Sequence, residues 1–283
     1  VKQRLADSGI HFDVASPSSP SEYIETTRNA LLSGVDTIVA AGGDGTVNLV
    51  ANGFFSGGLP INPQACLGFL PLGTGNDLAR TLGIPRGEAA VASLLRPPRW
   101  LDVGSATLHY PSGDTESRCF LNFAAIGLPV LVVQKMARRR FCGGGFLSYM
   151  VASLSALPEA RPIEVELSLG GAQSVRMNLL ASGVCNGTYF GGGMRLNPGA
   201  IMDDGWFEAM TMQQTRLLRR MLILLQVYFG AHMSQPEIKN CRTQDFRLSS
   251  RVPFYVSLDG DPIPDPVDSL AVQVNRRALQ VLA

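Results

Sequence analysis

The chain has 283 residues, of which 46% are hydrophobic and 17% charged. That is too apolar and too weakly charged for a disordered chain, and long enough for one large domain or two medium ones. With 24 Lys and Arg against 23 Asp and Glu, the net charge of +1 excludes bulk electrostatic binding to nucleic acid.

Residues 1–8 read as the tail of a helix stopped by Gly9, and 10–14 as a strand. A Ser/Pro turn over 16–21 leads into a helix over 20–33 that ends at Gly34. The apolar run 37–41 marks a buried parallel strand, followed by a glycine turn at 42–46 and a helix over 47–55. The same order returns as a strand over 65–70, a loop over 71–76 and a helix over 77–82. Such alternation predicts a parallel sheet with helices on both faces.

The texture changes at Pro97 and Pro98. Residues 101–110, 118–124, 163–169, 175–184, 206–212, 254–258 and 270–274 read as strands. Two helical stretches interrupt them, at 130–157 (broken at 143–145) and 215–233. The expected architecture is an α/β domain over 1–98 and a mostly β domain over 99–283.

Five scattered cysteines (Cys66, Cys119, Cys142, Cys185, Cys241) without C-x-x-C oppose a disulfide framework or zinc ribbon and suit reduced thiols in the cytoplasm. His11, His109 and His232 are too dispersed to suggest a metal site. The opening residues do not read as a signal peptide. The longest apolar stretch, 221–231, contains Gln226 and falls short of the ~20 residues that span a bilayer.

The strongest chemical signal is Gly42, Gly43, Asp44, Gly45, Thr46, Val47 and Asn48, set between a buried strand and a helix. Glycines allow a tight turn and close approach to a phosphate. The helix N-terminus behind them offers free N–H groups and partial positive charge. Thr46 and Asn48 can add side-chain hydrogen bonds. Neither the Walker A nor the dinucleotide glycine spacing is present. A plain turn without ligand is the alternative, weakened by the embedded Asp44 and Thr46. A second loop at 71–77 repeats the logic, with Asn76 or Asp77 as helix cap. Both loops belong at the carboxyl edge of one sheet, where open α/β sheets bind ligands.

Taken in order, GGDGTVN at 42–48, PLGTGNDLAR at 71–80, LDVG at 101–104, NGTYFGGGMRLNPGAIMDDGWFEA at 186–209 and LDGDPI at 258–263 make a specific set. It resembles the diacylglycerol kinase catalytic-domain family, close to the bacterial YegS-like lipid kinases, over nearly the whole chain. The resemblance implies transfer of the γ-phosphate of ATP to a lipid hydroxyl with Mg²⁺. It also implies a three-layer α/β domain like those of NAD kinase and phosphofructokinase, then a β-sandwich-like domain, with ATP in the cleft between. In this family the last strand can return to the first domain. The family's first strand and its Asn/Pro loop are missing, so residue 1 is not expected to be the native start.

By the same resemblance, Gly42 to Asn48 hold nucleotide phosphates, Thr74 contacts the nucleotide, and a further contact falls within 16–18. Asp204 matches a Mg²⁺ ligand, aided by the backbone carbonyls of Ile201 and Trp206, while Asp44, Asp77 and Asp102 belong near metal and phosphates. Asp261 takes the place of the family's usual Glu as catalytic base. It is shorter by one C–C bond, roughly 1.5 Å, and a misplacement of about 1 Å can slow a reaction on the order of 100-fold. Alone, Asp259-Gly260-Asp261 reads as a hairpin turn.

For lipid entry, the apolar 215–233 stretch reads first as a core-packed helix with Arg216, Arg219 and Arg220 solvated. Lys135, Arg138, Arg139 and Arg140 beside Phe141 suit an anionic membrane as well as a solvated face. The expected partners are ATP, a lipid and, transiently, the inner membrane surface, with no nucleic acid. Two other functions stay open: a kinase of a soluble alcohol such as NAD, and a non-catalytic nucleotide- or lipid-binding protein. A Rossmann oxidoreductase is disfavoured by the glycine spacing.

Overall fold

The computed structural model describes residues 2–138 and 145–283. Helices and strands alternate first: α1 (Lys2–Asp7), α2 (Pro20–Leu32), β1 (Thr37–Gly42), α3 (Asp44–Gly53), a ribbon of β2 (Phe55–Ser56) and β3 (Leu59–Pro60), β4 (Cys66–Pro71), α4 (Asp77–Leu82) and a 3-10 helix over Gly87–Leu95. Strands then dominate: β5 (Arg99–His109), β6 (Thr115–Phe120), β7 (Phe123–Gly127), the helices α5 (Leu128–Arg138) and α6 (Gly145–Ala156), β8 (Ile163–Leu169) and β9 (Val175–Cys185). The chain closes with a ribbon of β10 (Tyr189–Phe190) and β11 (Met194–Arg195), β12 (Phe207–Gln213), α7 (Leu217–Val227), a 3-10 helix over Ala231–Ser234, β13 (Ile238–Thr243), β14 (Asp245–Phe254), β15 (Val256–Leu258), β16 (Asp261–Pro262) and β17 (Val267–Leu282). An α/β part followed by a mostly β part is the architecture that the pattern of elements predicts.

Thirteen strands join one sheet, whose spine runs β1-β4-β17-β14-β8-β9-β7-β15-β16. β1 and β4 are parallel, with Thr37 opposite Cys66 and Gly42 opposite Pro71. Their carboxyl ends are therefore level, which brings the two glycine loops side by side. β17 joins the two parts of the chain. It runs antiparallel to β5 from Ser269 opposite His109 to Val281 opposite Arg99. Its last residues, Gln280, Val281 and Leu282, lie parallel to Cys66, Leu67 and Gly68. One core accordingly mixes Leu67 and Phe69 with Leu101, Leu279 and Val281. A second fills the sandwich, where Phe120 stacks on Phe207 at 5.6 Å beside Phe246.

Four expectations need correction. Residues 10–14 form no strand: β1 ends the sheet's spine without a further partner, and Phe12 and Val14 stay exposed. The expected strand 118–124 is split into β6 and β7, because Leu121 and Asn122 give their N–H groups to a side chain instead of a ladder. β13 and much of β14 were not anticipated. The helix expected over 215–233 is shorter, since Gly230 at φ 75° separates it from a 3-10 turn. Arg139, Arg140, Phe141 and the glycines 143 and 144 lie outside the described residues.

Asp102 on β5 is wholly buried and pins this arrangement. Its carboxylate accepts the N–H of Gly205 at 2.5 Å and of Arg277 at 2.7 Å. Asp102→Ala would strand both donors and is expected to cost about 3 kcal/mol or more in urea unfolding.

Candidate active site

The loops after β1 and β4 meet backbone to backbone. The N–H groups of Leu72 and Gly73 both donate to the Gly42 carbonyl, at 2.9 and 3.2 Å. A Cβ on Gly73 would overlap the Gly43 Cα, so only glycine permits this approach. Beneath them α3 starts at Asp44 with no side-chain cap from Gly43. Its first turn opens into a cleft of about 250 Å³ between the two parts of the fold.

Three carboxylates face that cleft. Asp44 accepts the N–H groups of Asp77 and Leu78, both at 3.1 Å, and so caps α4 from the neighbouring loop. Asn76, at φ 53°, makes the left-handed turn that this requires, a conformation Asn tolerates. Asp77 accepts the Gly192 N–H at 2.8 Å, while its other oxygen is buried without a partner. Burial pushes the Asp77 pKa up to about 6, against the Gly192 N–H and helped by the charge of Asp44. Asp261 lies over the start of α3, its oxygens 3.5 and 3.7 Å from where a Cβ on Gly45 would stand. Desolvation raises its pKa too; Arg118 opposes this and Asp44 adds to it.

The turn that delivers Asp261 is held by Asp259. That carboxylate accepts from Asn48 Nδ2 and the Leu121 and Asn122 N–H groups, each at 2.7 Å, and from the Phe123 N–H at 2.9 Å. Desolvation nonetheless lifts its pKa to about 6. Asp259 at φ 51° and Gly260 at φ 90° bend the chain back so that β16 enters the cleft.

Tyr149 of α6 forms the far wall, with its ring 5.9 Å from Phe190. Burial raises its phenol pKa, and the charges of Asp77, Asp44 and Asp261 raise it further. Tyr149, Phe190 and Asn122 were not singled out from sequence. The available signal was the Gly191, Gly192 and Gly193 run, all at positive φ, which turns the Gly192 N–H toward Asp77.

Gly43, Asp44, Gly45, Asn48, Thr74 and Asp261 thus line one cleft, as does Asp77. Thr46 packs back against Gly42, and Val47 belongs to the core. Ser18 is engaged with Glu22 at the start of α2. Asp102, Asp204, Ile201 and Trp206 do not line the cleft. The Asp204 carboxylate is taken up by Arg242 and by the Trp206 N–H at 3.0 Å, so a cation there must displace Arg242. Among the described residues, no group of three or more His, Cys, Asp or Glu could hold a metal by itself. The cleft instead suits a hard cation that arrives with phosphate: its donors are all oxygen, and one buried oxygen of Asp77 lacks a partner. A larger groove of about 690 Å³ lies along α5, β8 and β14. Arg176 bridges Glu164 and Glu166 on its wall at 3.5 and 3.1 Å.

Gly73→Ala should force the loops apart, at a cost of about 1–3 kcal/mol in urea unfolding. Asp259→Ala leaves four donors facing a void. It is expected to destabilise by about 3 kcal/mol or more in urea unfolding.

Residues 1–106 match the diacylglycerol kinase catalytic domain, and residues 123–283 match the YegS C-terminal NAD kinase beta sandwich-like domain. A Pseudomonas putida protein named probable lipid kinase YegS-like is 32% identical over 264 residues, covering 92% of this chain and 81% of its own. Diacylglycerol kinase of Bacillus subtilis is 26% identical over 267 residues, covering 92% and 82%. The crystal structure of a putative diacylglycerol kinase from Bacillus anthracis superposes with a TM-score of 0.73 at 21% identity, over 99% of this chain and 91% of that one. The fold also resembles an NAD kinase from Archaeoglobus fulgidus solved with ATP, at a TM-score of 0.52 and 12% identity, over 100% and 87%. The chain belongs to the diacylglycerol kinase family of lipid kinases, in its YegS-like form.

Proposed function

We propose that this protein transfers the γ-phosphate of ATP to a lipid hydroxyl, with Asp261 as general base and Mg²⁺ as the required cation. The observation that carries this reading is the position of the Asp261 carboxylate over Gly45, at the open N-terminus of α3. A phosphate on the glycine loop and a hydroxyl on Asp261 would then face each other across one short gap.

In this reading the backbone of Gly43, Asp44 and Gly45 cradles the phosphates, and Thr74 contacts the nucleotide from the second loop. Asp44 and Asp77 present oxygen to the phosphate side, where Mg²⁺, when bound, offsets phosphate charge. Asp261 takes the proton of the acceptor hydroxyl. The acceptor oxygen forms its bond to the γ-phosphorus as the bond to the bridging oxygen breaks, and ADP leaves. Tyr149 and Phe190 wall the acceptor side against water. Asp204, with the carbonyls of Ile201 and Trp206, is the secondary cation site. A cation held there would have to displace Arg242 and would lie outside the cleft. The acceptor resides in the cytoplasmic leaflet, which the protein visits peripherally; among the described residues no helix is long and apolar enough to cross a membrane.

Phosphate transfer from γ-labelled ATP to diacylglycerol, phosphatidylglycerol, ceramide and sphingoid bases in mixed micelles tests the reading. Asp261→Asn is expected to cut transfer on the order of 100- to 10,000-fold, with nucleotide affinity kept. Asp204→Ala should leave that affinity unchanged. Equal transfer by Asp261→Asn would remove Asp261 from the chemistry. Nucleotide binding with no transfer to any lipid would favour a binding protein.

The raised acids also set a pH dependence. Asp77 must be ionised to present oxygen to the phosphate side, so the rate should fall as pH drops through about 6. Stability moves the other way. The part contributed by Asp77 and Asp259 is fully present below their unfolded pKa near 4 and is lost as pH rises through about 6. Between pH 7 and 5 the rate should therefore decline while these groups do not lower the melting temperature, and a parallel loss of both would assign the decline to unfolding.

A further inference from the structure

Two helices of this fold are inside out. α7 turns Arg220, Ile223 and Leu224 inward, and Arg220 donates to the carbonyls of Leu157, Ala160 and Thr215. Its outer stripe is Leu218, Met221, Leu222 and Leu225, continued by Phe229 beyond its end, with Leu218 at 77% and Phe229 at 80% exposure. No charge interrupts that stripe, because Arg219 is turned aside to Glu237 at 2.8 Å. α6 has no charged residue at all. It buries Ser148, Ala152, Ser153 and Ala156 and exposes Leu147, Val151 and Leu154, one helical face at i, i+4 and i+7. The two helices touch where Phe146 meets Tyr228, with centroids 4.7 Å apart, so the stripes belong to one apolar face. Such a face in water requires an occupant.

We propose that the α6–α7 face docks on an anionic lipid bilayer and sets the cleft at its surface; this rests on the lipid-acceptor reading above. Two observations select a bilayer. First, the inner side of α6 carries Tyr149 into the cleft beside Asp261, so the face lies on the flank through which an acceptor in a membrane would come. Second, the charges around the face are cationic once paired groups are set aside. Glu159 is bound by Lys135 at 2.7 Å and Glu237 by Arg219. Arg216, at the start of α7, and Arg161, in the segment that Arg220 grips, have no carboxylate partner among the described residues. Apolar insertion rimmed by arginine is the combination an interfacial membrane contact uses.

Flotation with phosphatidylcholine vesicles, with and without phosphatidylglycerol, tests this on the full chain. Binding should strengthen with phosphatidylglycerol and weaken with salt, by about fivefold for each of Arg161 and Arg216 replaced with Gln. Leu218→Glu with Leu222→Glu should lower vesicle binding on the order of 100-fold, and Leu147→Glu on the other helix should lower it as well. Both variants are expected to keep their fold, since these side chains are more than half exposed, and circular dichroism checks it. Transfer to a short-chain, monomeric diacylglycerol should be unchanged while transfer to vesicle-borne diacylglycerol drops. Vesicle binding unaffected by the substitutions would overturn the proposal. So would a wild-type dimer that the substitutions dissociate while vesicle binding persists. Loss of vesicle binding together with no transfer to any acceptor would support the docking face and overturn the kinase reading instead.

Discussion

One carboxylate ties the cleft together. Asp259 receives Asn48 from α3 and three successive N–H groups from the break between β6 and β7, and its own N–H returns to the Phe123 carbonyl at 2.9 Å. The phosphate wall and the base wall come from sequence positions roughly two hundred apart, yet they share this one group. The same bonds dictate the local backbone. They break the chain into β6 and β7, hold Asp259 in a left-handed turn, and thereby aim Asp261 at Gly45. A buried acceptor with four donors is stable where it stands and destructive when removed, since each donor is then left unpaired.

The cleft that results is short of positive charge. The charge of Asp44 raises the pKa of both Asp77 and Asp261, and the compensation on hand consists of backbone N–H groups at α4 and Gly192, the charge of Arg80 on Asp77 and that of Arg118 on Asp261. Like charges held close by a rigid frame favour whatever neutralises them. A proton does so at low pH, and a phosphate-bound cation would do so near neutrality. The repulsion is thus part of the site's affinity, and it stays in place because Asp44 doubles as the cap of α4 and cannot swing away without uncapping it.

The glycine loops were legible because buried strands announce themselves as apolar runs and the loops after them carry Gly where a Cβ would clash. Asp261 was legible only through its neighbours in the motif set. Asp259 was not, because Asp-Gly reads locally as a turn and its four partners lie far away in sequence. β13 escaped notice because only its end residues Ile238 and Thr243 are buried, which leaves no alternation to read. Most of β14 escaped for a related reason, as Ser249 and Ser250 break the Phe246, Leu248 rhythm. α7 misled in the opposite direction. An apolar helix is expected in a core, but here Arg220 satisfies three carbonyls on the inner side while Leu218, Leu222 and Leu225 face out. Composition reports how apolar a helix is, and only packing reports which side of it the protein uses.

The continuous sheet limits how such a site can move. β17 pairs with β5 and β14 in the sandwich and with β4 beneath the glycine loops, so the two walls of the cleft grow from one strand. Its irregular point, between Asn275 and Leu279 with Arg277 at φ 47°, is where a hinge would be sought. Asp102 holds the Arg277 N–H there and the Gly205 N–H opposite, and it is wholly buried. Opening the cleft at that bulge would strand two donors and a carboxylate at once. Adjustment to ligands therefore falls to the loops and to α6, which bears Tyr149 on one side and the apolar face on the other. An acceptor that engages that helix from outside acts on the wall of the cleft that the sheet leaves free to respond.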